Sequence, residues 1–94
     1  MHGLKAMMLL QALVAGEATP GELTERLARN TGQRLSMSGV YVQLDRLERA
    51  GLVKSRLGKN QDHRGRRRRY YEISATGVQT LNTLDAARGG VTLA

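Results

Sequence analysis

The 94-residue chain contains no cysteine, no tryptophan and no phenylalanine, and only one proline. Without cysteine, a disulfide framework and a thiolate metal site are both excluded, which suits a reducing compartment such as the cytoplasm. Three tyrosines are the only aromatic residues, so aliphatic side chains and four methionines must fill the core. No apolar run reaches the roughly 18 residues of a membrane span. Ala6 to Ala15, behind Lys5, resembles a secretory leader only loosely, because Gln11 interrupts it and its positive flank is weak. It reads better as a helix apolar on nearly every side, covered once by its own domain and once by a second subunit.

Chemical machinery is missing as well. Nothing resembles an activated nucleophile, a phosphate-binding glycine loop or a carboxylate pair in a cleft, so no enzymatic activity and no cofactor are expected. His2 and His63 have no spacing that pairs them as metal ligands and read as surface residues. Asp45 and Glu48 stand beside Arg46 and Arg49 and read as helical ion pairs, worth a few tenths of a kcal/mol.

What the chain does have is concentrated charge. Lys54, Arg56, Lys59, Arg64 and Arg66 to Arg69 set eight cations against the single acid Asp62, which accounts for the whole formal charge of +7. The other 78 residues carry seven cations and seven acids. A neutral body with one cationic projection is suited to meet a polyanion at one place, most commonly nucleic acid.

The periodicities give that projection a scaffold. Leu4, Met7, Met8, Leu10, Leu13 and Val14 predict a first helix over residues 3–15, ended near Gly16. Thr19-Pro20-Gly21-Glu22 is a helix start: Thr19 caps, Pro20 suits the first position and Glu22 completes a capping box. Leu23, Leu27 and Ala28 form the buried stripe of this second helix, which stops near Thr31-Gly32. Ser36 or Ser38 opens a third helix running to Ala50, with Val40, Leu44 and Leu47 inward. Ser38, Val42, Asp45, Arg46 and Arg49 fall on its opposite face, with Tyr41 at the margin. Leu52 to Leu57 and Arg66 to Ser74 predict two strands around a turn at Gly58 to Gly65, with Tyr71 and Ile73 on one face. A short last helix from Ser74-Ala75 carries Val78, Leu81 and Leu84 and ends by Gly89-Gly90, before a frayed end. The whole reads as one domain over residues 1–94, mainly α with a small β-hairpin. Its order is α-α-α-β-β-α, with the wing at about 52–74 and the last helix at about 75–88.

That order is the winged helix-turn-helix, and two blocks narrow it further. Ser36-Met37-Ser38-Gly39-Val40-Tyr41-Val42-Gln43-Leu44-Asp45-Arg46-Leu47-Glu48-Arg49-Ala50-Gly51-Leu52-Val53 resembles the recognition helix of the PadR family of bacterial transcriptional regulators. Arg67 to Gly77 is similar to that family's returning wing strand and following helix start. The likeness spans roughly residues 4–85. Three features depart from the family pattern: Thr19-Pro20-Gly21-Glu22 replaces a His-Gly-Tyr, Val42 replaces a proline, and the fourth helix is short. The resemblance implies a DNA-binding regulator, usually a repressor, whose first and last helices supply a homodimer.

The expected DNA contacts divide in two. Ser36, Ser38, Tyr41, Val42, Gln43 and Arg46 belong to the third helix, where Gln43 suits adenine, Arg46 guanine or phosphate, and Val42 a thymine methyl. Lys54, Arg56, Lys59, Arg64, Arg66, Arg67 and Arg68 are expected on phosphates. Each phosphate contact contributes about −0.9 to the log–log salt slope, so roughly six to eight in a dimer give about −5 to −7. Leu4, Met7, Met8, Leu10, Leu81 and Leu84 are the expected dimer contact. An arginine-rich RNA-binding hairpin, with Tyr70 as stacking platform, and a protein-interaction adaptor are the competing readings; no effector is assigned.

Overall fold

The computed structural model describes residues 3–61 and 64–87, the side chains of 84–87 excepted. Its elements run α1 (Leu4–Leu13), α2 (Pro20–Thr31), α3 (Met37–Arg49), β1 (Val53–Gln61), β2 (Arg67–Ile73) and α4 (Ala75–Ala87). This is the expected α-α-α-β-β-α order. His2, His63, the Leu84 side chain and the helix end expected at Gly89-Gly90 lie outside the described residues.

The helix starts follow from local chemistry. At α2 the Glu22 amide donates to Thr19 Oγ1 at 3.2 Å, while the Thr19 amide donates to Glu22 Oε1 at 2.8 Å. This closes the capping box, with Pro20 in the first turn. Ser36, not Ser38, caps α3, its Oγ accepting from the Gly39 amide at 3.1 Å. Ser74 caps α4 in the same way, accepting from the Gly77 amide at 3.0 Å and donating to the Gly51 carbonyl at 2.6 Å. Gly32 (φ 73°) and Gly51 (φ 78°) end α2 and α3 in the left-handed region, where a Cβ would be strained. α1 is shorter than expected, because Val14 already acts as its C-cap.

The core is aliphatic. Leu9, Leu10 and Leu13 of α1 meet Leu23 and Leu27 of α2 and Val40, Leu44 and Leu47 of α3, with Leu52, Val53, Tyr71 and Leu81 closing the sides. Each such side chain contributes about 1.5–3 kcal/mol on burial. Arg26 adds a polar clasp, its Nη1 donating to the carbonyls of Ala12 (2.8 Å) and Gly16 (3.0 Å), which lie at the end of α1 and just beyond it. Among the described residues no helix is long and apolar enough to cross a membrane.

The hairpin departs from expectation. β1 continues through Gln61 instead of turning at Gly58, and its pairing shifts between Leu57↔Arg69 and Gln61↔Arg67. A bulge there lets an irregular stretch stay extended, so Lys59, Asn60 and Gln61 give no period-2 apolar signal. A further addition is Ala18, which pairs antiparallel with Tyr71 through two backbone bonds, 3.0 and 2.8 Å long. The loop before α2 thereby ties the base of the wing to the helices.

Candidate nucleic-acid interface

α3 buries Val40, Leu44 and Leu47 completely and turns Ser38, Val42, Asp45, Arg46 and Arg49 to solvent. Tyr41, placed at the margin by sequence, is 52% exposed and Val42 49%. Both are large side chains standing open on a helix whose inner face is sealed. Gln43 is half-buried beside them. At the helix start, Ser36 Oγ and Ser38 Oγ lie 3.4 Å apart, next to the amides of the first turn. Asp45 pairs with Arg49 at 3.2 Å, and Arg46 stands exposed on the same face. Glu48 does not join an arginine on its own helix; it accepts from Ser55 Oγ of β1.

The wing has two faces, set by strand alternation. Ser55 and Leu57 with Arg69 and Tyr71 turn toward the helices; Lys54 and Arg56 with Tyr70 and Glu72 turn away. On the inner face Arg69 Nη1 donates to Ser55 Oγ at 3.0 Å, and Ser55 donates on to Glu48, so β2, β1 and α3 are linked in series. Arg67 Nε donates to the Gly58 carbonyl at 2.8 Å across the bulge. On the outer face Arg56 Nε donates to Glu17 Oε2 at 3.2 Å and its Nη2 to Glu17 Oε1, while its guanidinium lies 4.9 Å from the centroid of the Tyr70 ring. The Glu17 hydrogen bond raises the Arg56 pKa further above its ordinary value.

Between α3, the N-terminal end of α2 and the inner face of the wing runs a groove of about 700 Å³. Thr19 and Gly21 edge it from α2, Met37 and Tyr41 from α3, and Leu57 with Arg66 to Arg69 from the wing. The N-terminus of α2 adds the positive end of a helix dipole. Glu22 sits in the first turn of that helix. Its pKa is lowered chiefly by the hydrogen bond from the Thr19 backbone, with Arg26 and Arg68 adding to the effect. The Tyr71 phenol, pushed up by burial and then by the negative charge of Glu48, stays neutral at the base of the wing.

Of the residues singled out by sequence, the groove gathers Tyr41, Arg66, Arg67 and Arg68. Val42 and Arg46 stand exposed on α3, and Lys54, Lys59 and Arg64 are exposed on the wing. Arg56 is diverted to Glu17. Leu10, assigned to a subunit contact, has no accessible surface and belongs to the chain's own core; Leu81 is 9% exposed, and Met7 and Met8 are half-buried against that core. Leu4 is 77% exposed. Sequence reasoning overlooked Met37 and Leu57. Met37 lies one turn before Tyr41, a spacing that places the two on one side, and Leu57 continues the alternation of Val53 and Ser55. Among the described residues no group of three His, Asp or Glu side chains is placed to hold a metal.

The Transcriptional regulator PadR-like family matches residues 9–83 of this chain. Solved structures with the same fold include a PadR-like transcription factor from Bacteroides fragilis, with a TM-score of 0.80 at 20% identity, covering 93% of this chain and 82% of that one. A PadR family transcription regulator from Clostridium difficile aligns with a TM-score of 0.76 at 24% identity, over 90% of this chain and 86% of that one. Bacillus subtilis PadR, solved in complex with operator DNA, aligns with a TM-score of 0.76 at 19% identity, over 86% of this chain and 46% of that one. No curated protein matches the chain.

Proposed function

Since the chain belongs to the PadR-like family of transcriptional regulators, we propose that it is a sequence-specific regulator of double-stranded DNA, a cytoplasmic repressor acting as a homodimer. The observation that carries this reading is the groove in which Arg66 to Arg69 stand opposite Tyr41 and Met37 of α3. A duplex meeting that surface places α3 in a major groove and the wing on the adjoining backbone. The solved complex of Bacillus subtilis PadR with operator DNA supports DNA as the partner. Ser36, Ser38, Tyr41 and the wing cations Lys54, Lys59, Arg64, Arg66, Arg67 and Arg68 then serve the phosphates, fixing orientation without reading sequence. Val42, Gln43 and Arg46 serve base edges: a methyl contact, an amide pair to adenine and a guanidinium fork to guanine.

Family membership sets the chain among regulators, not enzymes. The RNA alternative needs an open aromatic platform. Tyr70 offers a poor one: its ring lies under the Arg56 guanidinium, and its edge rests so close to Gly58 that a Cβ there would come within 2.5 Å. Selection from a random duplex pool tests the proposal. The expected result is a recurring half-site, repeated about 34 Å apart or at a multiple of that distance. Enrichment of no motif, or stronger retention of structured RNA in competition, refutes it.

A further inference from the structure

Arg56 differs from its neighbours in the wing. Its guanidinium is held by both oxygens of Glu17 and covers the face of Tyr70, its partner across the strand pair. The next residue after Glu17 is Ala18, and the next after Tyr70 is Tyr71, the two that form the backbone bridge between the helices and the wing. Two residues on from Arg56, Gly58 is buried against the edge of the Tyr70 ring. Glu17, Arg56, Tyr70 and Gly58 thus make one stack beside the only backbone pairing described between the hairpin and the segment ahead of α2. A planar, bidentate guanidinium suits this task, since it satisfies a carboxylate with its edge while its face lies on a ring.

We infer that Arg56 is a positioning residue, a strut that fixes the angle of the wing to α3, and not one of its phosphate contacts. The inference rests on the proposed duplex binding for its effect on affinity, but the strut itself is a property of the free protein. With Glu17 neutralising it, Arg56 brings little net charge to the duplex. Its influence passes through the pose of Arg66 to Arg69, which share the groove with α3. The sequence shows Arg56 only as one more cation in a run.

Two measurements on the full chain test the strut. In the free protein, amide hydrogen exchange at Ala18 and Tyr71 should quicken severalfold in both Arg56→Gln and Glu17→Gln, while Leu44 and Leu47 within α3 keep their protection. In duplex titrations across salt, Arg56→Gln should leave the log–log slope unchanged and cost about tenfold in affinity for a selected site, with less loss on random duplex. Glu17→Gln should raise the magnitude of the slope by about 0.9 per subunit as Arg56 is released to the backbone, an increase absent from the Glu17→Gln/Arg56→Gln double variant. A slope that drops by about 0.9 per subunit on Arg56→Gln makes Arg56 a phosphate contact and overturns the inference. Unchanged exchange at Ala18 and Tyr71 in both variants also overturns it. If the unaltered chain retards neither duplex, the DNA reading fails by itself, and the exchange data alone decide the strut.

Discussion

Gly58 shows how one missing methyl group shapes the wing. A Cβ at this position would meet the Tyr70 ring at 2.5 Å and the Arg68 carbonyl at 3.4 Å, so the ring edge occupies the space a side chain would take. Gly58→Ala should therefore push Tyr70 aside and destabilise the fold by about 1–3 kcal/mol, the usual cost of overpacking. Thermal unfolding checks the magnitude. Glu22 carries a different kind of consequence. Its pKa is held below the ordinary 4.5, first by the Thr19 backbone hydrogen bond. A carboxylate with a depressed folded pKa adds stability that is complete above the ordinary value and is lost as pH falls through the folded one. Glu22→Gln keeps an oxygen for the Thr19 amide but carries no titrating charge. On acidification from neutral pH to below 4.5, its melting temperature should fall less than that of the unaltered chain.

Between elements, the proposed division of labour on DNA is separable by mutation. Arg66→Ala/Arg68→Ala, on the wing, should weaken binding to selected and random duplexes alike and reduce the magnitude of the salt slope by about 0.9 for each phosphate left unneutralised. Val42→Ala or Arg46→Ala, on α3, should instead cost about 1–3 kcal/mol on the selected site only, at the base position each one faces. Equal losses on both duplexes for both sets would remove the distinction. The helices behind this scheme were legible in the sequence because their signals are local. Thr19 with Glu22 three residues on, Ser36 ahead of Val40, Leu44 and Leu47, and glycines at 32 and 51 each act within one or two turns. The end of the hairpin was not legible, because Lys59, Asn60 and Gln61 pair beyond a bulge without any alternation of apolar residues. Nor was the fate of Arg56. Its partner Glu17 lies 39 residues away in sequence, and the Ala18–Tyr71 bridge beside the pair is a single residue pair with no pattern of its own.

Association of two subunits raises the remaining question of surface. The side chains that the sequence assigns to it are partly spent at home: Leu10 is fully buried and Leu81 nearly so. Among the described side chains, the large apolar ones exposed on the same two helices are Leu4 at 77%, Val78 at 41% and, just past the end of α1, Val14 at 56%. Val14 and Val78 line one groove between α1 and α4, and Val14 also edges an apolar cavity of about 380 Å³ between α1 and α2, beside Met8 and Leu27. Contiguous exposed apolar surface of this kind is the usual mark of a protein interface. This is where the proposed homodimer is expected to meet, on residues the sequence placed in helices without showing which of them the core would consume. A charge at its centre is costly to bury and leaves the groove between α3 and the wing untouched. Val14→Glu/Val78→Glu should yield a monomer in sedimentation with the same fold by circular dichroism. Because linked half-sites bind with an effective concentration, the monomer should lose affinity for a two-half-site duplex by about 10²-fold or more while keeping its affinity for a single half-site. Its salt slope should fall to about half, since each subunit brings its own set of phosphate contacts. A variant that stays dimeric places the contact elsewhere on the chain, and one that loses the single half-site as well shows that α1 and α4 serve the DNA face directly.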